Sequence, residues 1–148
     1  MNNRLEDLRE LSDFSKKELA SILGVSDSIY ARWENGKDFI PTKRLYQIAT
    51  FYKINIDYIL GLTSKKIEIT SNDEIDIKIV SKRTREIRND MNESLREFAK
   101  KLNTSGSTWH AYENGKVLIL GAFLIEVCKN YNYSADWILG RTNDKFIH

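Results

Sequence analysis

The sequence predicts an all-α protein built from two tandem copies of one small domain with five short helices. A single Pro and seven Gly among 148 residues argue against a turn-rich β protein. The chain also matches itself at a constant spacing, because the Glu-Asn-Gly-Lys of residues 34–37 returns at residues 113–116. Further residues recur at this spacing, namely Asp57, Ile59, Leu60, Gly61 and Thr63 as Asp136, Ile138, Leu139, Gly140 and Thr142. We therefore expect two equivalent domains.

Polar residues and glycines mark the ends of the helices in the first copy. Such residues either bind the free amide groups of the first turn or adopt the left-handed conformation that stops a helix. The expected boundaries are a capping box of Ser15 and Glu18, Gly24 after the second helix, Ser26 before the third, Asn35 with Gly36 after it, Pro41 or Thr42 before the fourth, and Asn55 before the fifth. Ser94 and Glu97 repeat the capping box in the second copy.

Apolar residues at helical spacing predict which faces are buried. In the first copy they are Leu5, Leu8, Leu11, Tyr30, Trp33, Leu45, Ile48, Ala49, Tyr52, Tyr58, Ile59 and Leu60. In the second copy they are Trp109, Tyr112, Leu124, Val127, Tyr131, Trp137 and Ile138. The single cysteine, Cys128, occupies the position of Ala49, which predicts a small buried hydrophobic residue.

The predicted domains are residues 1–63 and 79–148, with a linker over residues 64–78. The linker alternates apolar and charged residues around Ile67, Ile69, Ile75 and Ile77, which is typical of a small hairpin or edge strand. The alternative is that residues 75–80 extend the first helix of the second domain. Both interpretations stay open at this point.

The order of helix, glycine-containing turn and helix, followed by Trp-Glu-Asn-Gly-Lys at residues 33–37, resembles the Xre/Cro and lambda-type repressor family of helix-turn-helix domains. The last helix, residues 54–61, is similar to that of the same domains. The resemblance implies a lambda-repressor-like fold for both copies and binding of double-stranded DNA, with the third helix in the major groove. The net charge of +2 alone would not suggest DNA.

The resemblance also implies which side chains contact DNA. The base-reading positions of the first domain fall on Asp27, Ser28, Ile29 and Arg32, of which Arg32 is suited to pair with guanine. The full expected DNA-binding set of this domain is Lys16, Ser26, Asp27, Ser28, Ile29, Arg32, Lys37, Lys43 and Arg44, the lysines and Arg44 being phosphate contacts. The alternative for the charged members is an ordinary solvated surface.

The second copy departs from this pattern at the base-reading positions. They become Gly106, Ser107, Thr108 and Ala111, so that Ser107, Thr108 and Lys116 are the expected DNA contacts. Two hypotheses follow: the domain binds DNA weakly, or it serves dimerisation or a protein partner. The apolar run at residues 117–120 favours an exposed interaction surface, unless these residues enter the domain's own core.

Two recurring residue pairs are expected to be structural. Arg9 with Glu34 returns as Arg88 with Glu113, and the resemblance implies an ion pair between the first helix and the end of the third. This role removes Arg88 from the candidate DNA contacts.

Together these features predict a transcriptional regulator, a repressor of prokaryotic or phage origin, that acts in the cytoplasm as a homodimer. No leader or long apolar run points to a membrane, and no motif points to an enzyme, a metal or a cofactor. The alternative function is a protein-interaction module, such as an antitoxin or a macromolecular inhibitor. The two copies could also act as a pseudo-dimer within one chain.

Overall fold

The computed structural model describes residues 3–148, so residues 1 and 2, where the predicted first domain begins, lie outside the described part. The described chain is all-helical, with ten helices: α1 Leu5–Leu11, α2 Lys16–Leu23, α3 Asp27–Glu34, α4 Thr42–Tyr52, α5 Ile56–Ile59, α6 Ile77–Asp90, α7 Leu95–Lys101, α8 Gly106–Glu113, α9 Gly121–Tyr131 and α10 Ala135–Ile138. None of the helices in residues 3–148 is long and apolar enough to cross a membrane.

The helix boundaries follow the local signals of the sequence. Ser15 and Ser94 each form a capping box with the glutamate three residues later. Gly24 ends α2 with a φ of 74°, and Ser26 accepts a hydrogen bond from the amide of Ile29 at the start of α3. These predictions are confirmed because the interactions that set them lie within four residues of one another.

The predicted core is buried, with one error. Leu11 is 76% exposed although Leu5 and Leu8 on the same helix are buried. Each step of three residues turns an α-helix by about 300°, so the apolar face drifts away from the core by the second step. Cys128 is buried as expected, and Tyr52, Tyr58 and Tyr131 pack against the core from half-buried positions.

Both interpretations of the linker are right in part. The amide of Asn55 donates to the carbonyl of Ile67, and the amide of Ile69 donates to the carbonyl of Lys53, which forms a short extended pairing. The helix α6 then begins at Ile77 and is capped by Asp76. Ile75 therefore lies outside the helix that was predicted to include it.

The two halves of the chain meet through a reciprocal exchange of carboxylates. Asp136 accepts hydrogen bonds from the amides of Ile56 and Asp57, at 2.8 and 3.0 Å, at the start of α5. Asp57 accepts in turn from the amide of Ala135 at 2.7 Å and the hydroxyl of Ser134 at 2.6 Å, at the start of α10. Each carboxylate therefore satisfies the free helix N-terminus of the opposite half.

This exchange corrects the expected role of Asn55. Asn55 precedes α5, but its side chain makes no capping bond. The side-chain nitrogen of Asn55 instead donates to the carbonyl of Lys65, and its side-chain oxygen accepts from the backbone amide of Ile67. Asp136 of the other half supplies the cap, which leaves Asn55 free to hold the linker.

A second contact closes the same seam between the starts of α4 and α9. The hydroxyl of Thr42 donates to the carbonyl of Ile119, and Gly121 faces the carbonyl of Ile40. A Cβ added to Gly121 would lie 2.2 Å from that carbonyl oxygen. We use the name seam for these contacts together with the Asp57–Asp136 exchange.

Gly121 and Gly106 each begin a helix, but only Gly121 lies at the seam, so alanine substitutions should affect stability differently at the two positions. Gly121→Ala forces the backbone of the two halves apart and is expected to lower the free energy of unfolding by about 1–3 kcal/mol. Gly106→Ala is the matched control, because its nearest neighbour would be at 3.7 Å, an ordinary contact. Urea titration of both variants measures the difference. Equal stability of the two variants would contradict the close approach at the seam.

The charges at the seam are unbalanced. The buried side chain of Arg141 pairs with Asp136 and also donates to the carbonyl of Ile54 at 3.0 Å. No cation pairs with Asp57 within residues 3–148, and burial, together with the charge of Asp136, raises its pKa to about 7. Burial also raises the pKa of the Cys128 thiol, and the charges of Asp57 and Asp136 add to this effect.

A raised pKa in the folded state makes stability depend on pH. The ordinary pKa of Asp57 is 3.8, so its protonated form favours folding and this stabilisation is lost as the pH rises from about 4 to about 7. We expect the unfolding free energy of the native chain to fall, relative to Asp57→Asn, by up to about 4 kcal/mol across this range. Denaturant titrations at several pH values measure the difference between the two proteins. A difference that does not change with pH would contradict the assignment.

Candidate nucleic-acid interface

The helix α3 has one buried and one exposed face. Tyr30 and Trp33 are buried, and α3 packs against α2 across the turn at Gly24. The structure brings the four predicted base-reading residues together on the exposed side, where all of them are accessible: Asp27, Ser28, Ile29 and Arg32. An exposed helix surface of this kind can reach the floor of a DNA major groove.

Ser26 was predicted to be both a cap and a DNA contact, and the structure gives it the first task. Its hydroxyl oxygen accepts from the amide of Ile29 at 3.2 Å and lies 3.2 Å from the hydroxyl of Ser28. Ser26 therefore fixes the start of α3 and the position of Ser28.

Arg32 has a partner that the sequence-based prediction missed. Its Nη2 donates to Asp38 at 2.9 Å, and Nε donates to the other carboxylate oxygen. The amides of Lys37 and Asp38 both donate to the carbonyl of Arg32, so the turn after α3 returns Asp38 to this helix. The hydrogen bonds raise the pKa of Arg32 and lower that of Asp38. Both side chains are about half exposed, so the pair is open to exchange with a ligand.

The predicted phosphate contacts divide into two groups. Lys16, Lys37 and Lys43 are exposed, and Lys16 and Lys43 lie in the first turns of α2 and α4. Arg44 is half-buried and donates to the carbonyl of Leu23 at 2.8 Å. Arg44 thus ties α4 to the end of α2, a role that its position in the sequence did not indicate.

The equivalent surface of α8 carries different chemistry. Ser107 and Lys116 are exposed, whereas the hydroxyl of Thr108 is engaged with the capping Ser105 at 2.9 Å. Ala111 and Val117 stand at the positions of Arg32 and Asp38, and the amide of Val117 donates to the carbonyl of Ala111 at 3.2 Å. An ion pair on one surface is therefore replaced by two apolar side chains on the other.

The apolar run at residues 117–120 is partly buried and partly exposed. Ile119 is buried at the seam and Leu118 is half-buried, whereas Val117 is 48% and Leu120 57% exposed. Ile119 therefore enters the core, as one of the two hypotheses expected, whereas an interaction surface at Val117 and Leu120 stays a prediction.

Both expected ion pairs are confirmed. Arg9 donates to the two carboxylate oxygens of Glu34 at 2.6 and 3.2 Å, and Arg88 binds Glu113 in the same way at 2.7 and 2.9 Å. Only 1% of each glutamate side chain is exposed. These pairs fix the C-terminal ends of α3 and α8 against α1 and α6, and Arg88 is accordingly not available for DNA.

A comparison with models of known families matches the first half of the chain. Residues 2–65 match the family model of a helix-turn-helix domain. The chain is 35% identical over 60 residues, 40% of its length, to the uncharacterized HTH-type transcriptional regulator YobD of Bacillus subtilis (strain 168). The match spans 54% of that protein, so the chain covers about half the length of this relative. No solved structure matches the chain significantly.

Two ion pairs involve α3, the buried Arg9–Glu34 pair and the exposed Arg32–Asp38 pair, and they should contribute unequally to stability. Glu34→Gln leaves the guanidinium of Arg9 without its counter-charge in a buried setting, which should lower the unfolding free energy by about 3–5 kcal/mol. Asp38→Asn is the matched control at the exposed Arg32 pair and should leave the unfolding free energy almost unchanged, because solvent screens an exposed ion pair. Chemical denaturation measures both. Similar small losses in the two variants would show that the Arg9–Glu34 pair does not hold α3 in place.

Proposed function

We propose that the chain is a sequence-specific regulator of transcription that binds double-stranded DNA, with α3 in the major groove. The proposal rests on the exposed surface of α3, which presents Asp27, Ser28, Ile29 and Arg32 from a domain that matches the helix-turn-helix family. The match to a protein named as an HTH-type transcriptional regulator supports the same function. A repressor role, in the cytoplasm, is part of the proposal.

Each exposed side chain of α3 suits a different base. The guanidinium of Arg32 can bond O6 and N7 of guanine as a pair, and Ile29 can contact a thymine methyl. Ser28 can donate or accept, and Asp27 can accept from the amino group of cytosine. Lys16, Lys37 and Lys43 are placed to neutralise phosphates on either side.

The ion pair with Asp38 makes Arg32 more selective for guanine over the other bases. To bind guanine, Arg32 must leave a bidentate carboxylate partner, and only a base with two matched acceptors replaces both hydrogen bonds. At other bases the arginine stays with Asp38, whose carboxylate then lies near the DNA and repels it. Asp38 therefore acts on specificity through Arg32 without contacting the base.

The second half of the chain is proposed to be a helix-turn-helix domain as well. The helices α7 to α10 follow one another as α2 to α5 do, and α8, α9 and α10 have the lengths of α3, α4 and α5. The homodimer expected from the sequence stays a prediction, since the seam already joins two such halves within one chain.

Substitutions of Arg32 test base recognition. A duplex selected from a random DNA pool and a scrambled duplex serve as the two ligands. Arg32→Lys should lower affinity for the selected duplex about 5- to 100-fold and leave the scrambled one little affected, because lysine keeps the positive charge but lacks the bidentate fork. Arg32→Ala should weaken binding to both duplexes, because it leaves Asp38 unpaired beside the DNA. Fluorescence anisotropy at several salt concentrations measures both affinities.

Lys37→Ala provides the contrasting control. The loss of a phosphate contact should weaken binding to both duplexes equally and make the salt dependence less steep. If no sequence is enriched from the random pool, or if Arg32→Lys binds the selected duplex as the native chain does, the proposed recognition by α3 fails.

A second candidate function is binding to a protein, as in an antitoxin or an inhibitor. The exposed Val117 and Leu120 beside α8 favour it, since apolar side chains of this size are frequent at protein interfaces. This function does not compete with DNA binding by α3, because the two surfaces belong to different halves.

A further inference from the structure

We infer that one chain binds DNA as a monomer, at a site with two unlike halves, α3 occupying one half and α8 the other. This inference rests on the proposed DNA-binding function and adds to it the stoichiometry and the composition of the DNA site. A two-fold symmetric protein dimer reads a site with two equal halves. The seam places two helix-turn-helix surfaces in one polypeptide instead.

The contacts across the seam are reciprocal, as they are in a two-fold dimer. Asp57 and Asp136 are 79 residues apart, and each caps the helix that carries the other. Thr42 and Gly121 are separated by the same interval. The hydroxyl of Thr42 donates to the carbonyl of Ile119, and Gly121 lies against the carbonyl of Ile40. An isologous dimer shows this pattern. If a residue of one subunit contacts a given residue of its partner, the same two positions also meet with the subunits interchanged.

The seam is buried and therefore rigid. Asp57, Asp136 and Arg141 are buried, and the backbones of the two halves approach at Gly121 too closely for any side chain. The starts of α5 and α10 and of α4 and α9 are thus occupied inside one chain. A second copy has no access to these surfaces, so dimerisation through them is not required.

The seam also limits how far apart the ends of α3 and α8 can lie. Ile40 is the sixth residue after the end of α3 at Glu34, and Ile119 is the sixth residue after the end of α8 at Glu113. Six residues span at most about 20 Å, so both helix ends lie within about 20 Å of the seam. The ends of α3 and α8 are therefore at most about 40 Å apart. This limit allows the spacing of about 34 Å between adjacent major-groove surfaces on one side of DNA.

The two surfaces differ in the bases that they suit. Arg32 on α3 favours a half that contains guanine. On α8, Ala111 and Val117 take the places of Arg32 and Asp38 and offer methyl groups, which suit the methyl groups of thymine. Ser107 is exposed and adds a hydroxyl without charge. The inferred site therefore joins a guanine-containing half to a thymine-rich half.

Selection from a random pool of double-stranded DNA, followed by footprinting and native mass spectrometry, tests the inference. The expected result is one chain per duplex and two protected segments of unlike sequence, one helical turn apart. Inserting about five base pairs between the segments turns one half to the opposite side of the DNA. The rigid seam cannot follow, so affinity should fall to that of the guanine-containing half alone.

A charge placed on α8 tests the contribution of the second half. Ser107→Glu should lower affinity for the complete site about tenfold or more and leave binding to the isolated guanine-containing half unchanged. Asn130→Glu is the matched control, because it adds the same charge at an exposed position on α9 and should change neither.

Three outcomes overturn the inference. Two chains on a site with equal halves would indicate a homodimer, and a single protected half that ignores Ser107→Glu would assign α8 to another partner. Both outcomes leave the proposed DNA-binding function standing. If no DNA sequence is enriched at all, the proposed function and the inference fail together.

Discussion

The exchange of carboxylates between Asp57 and Asp136 is the interaction on which the rest of the structure depends. Helices of four residues such as α5 and α10 have too few internal hydrogen bonds to be stable alone. Each gains the bonds that its N-terminus lacks from an aspartate in the other half. Because α5 and α10 contribute buried side chains to the cores of their own halves, each core depends in part on an aspartate of the other half.

This dependence explains why the two halves differ around the seam. A symmetric seam would bury two carboxylates with no cation, and like charges in a buried setting oppose each other's ionisation. Arg141, at a position that Leu62 occupies in the first half, supplies one positive charge and also binds the carbonyl of Ile54. Asn55 holds the linker, whereas its equivalent Ser134 donates to Asp57. Residues that differ between the two halves thus supply a positive charge and a hydrogen-bond donor that a pair of identical halves would lack.

The sequence predicted what depends on near neighbours and missed what depends on contacts between the halves. Caps such as Ser15 and Ser26 involve partners three residues away, so their spacing was sufficient. The pairing of Glu34 and Glu113 with their arginines was found because the resemblance to the repressor family implies it at both places where these residues recur. Asp57 and Asp136 recur as well, but their partners lie across the seam, and recurrence alone does not identify a partner. On the candidate surface, the exposure of α3 was predictable from the buried Tyr30 and Trp33, whereas the turn that brings Asp38 to Arg32 was not.

The replacement of Arg32 and Asp38 by Ala111 and Val117 bears on the role of α8. Loss of the arginine alone would leave an aspartate near a surface that meets phosphates, and loss of the aspartate alone would leave an unrestrained cation with weaker discrimination. The second half carries neither the cation nor the carboxylate at these two positions. Its ion pair of Arg88 and Glu113 still fixes the end of α8 in the same way as the pair in the first half. Under the proposed function, a helix that is held in the same position but lacks these two charges adds selectivity to α3 without adding an attraction for phosphates of its own.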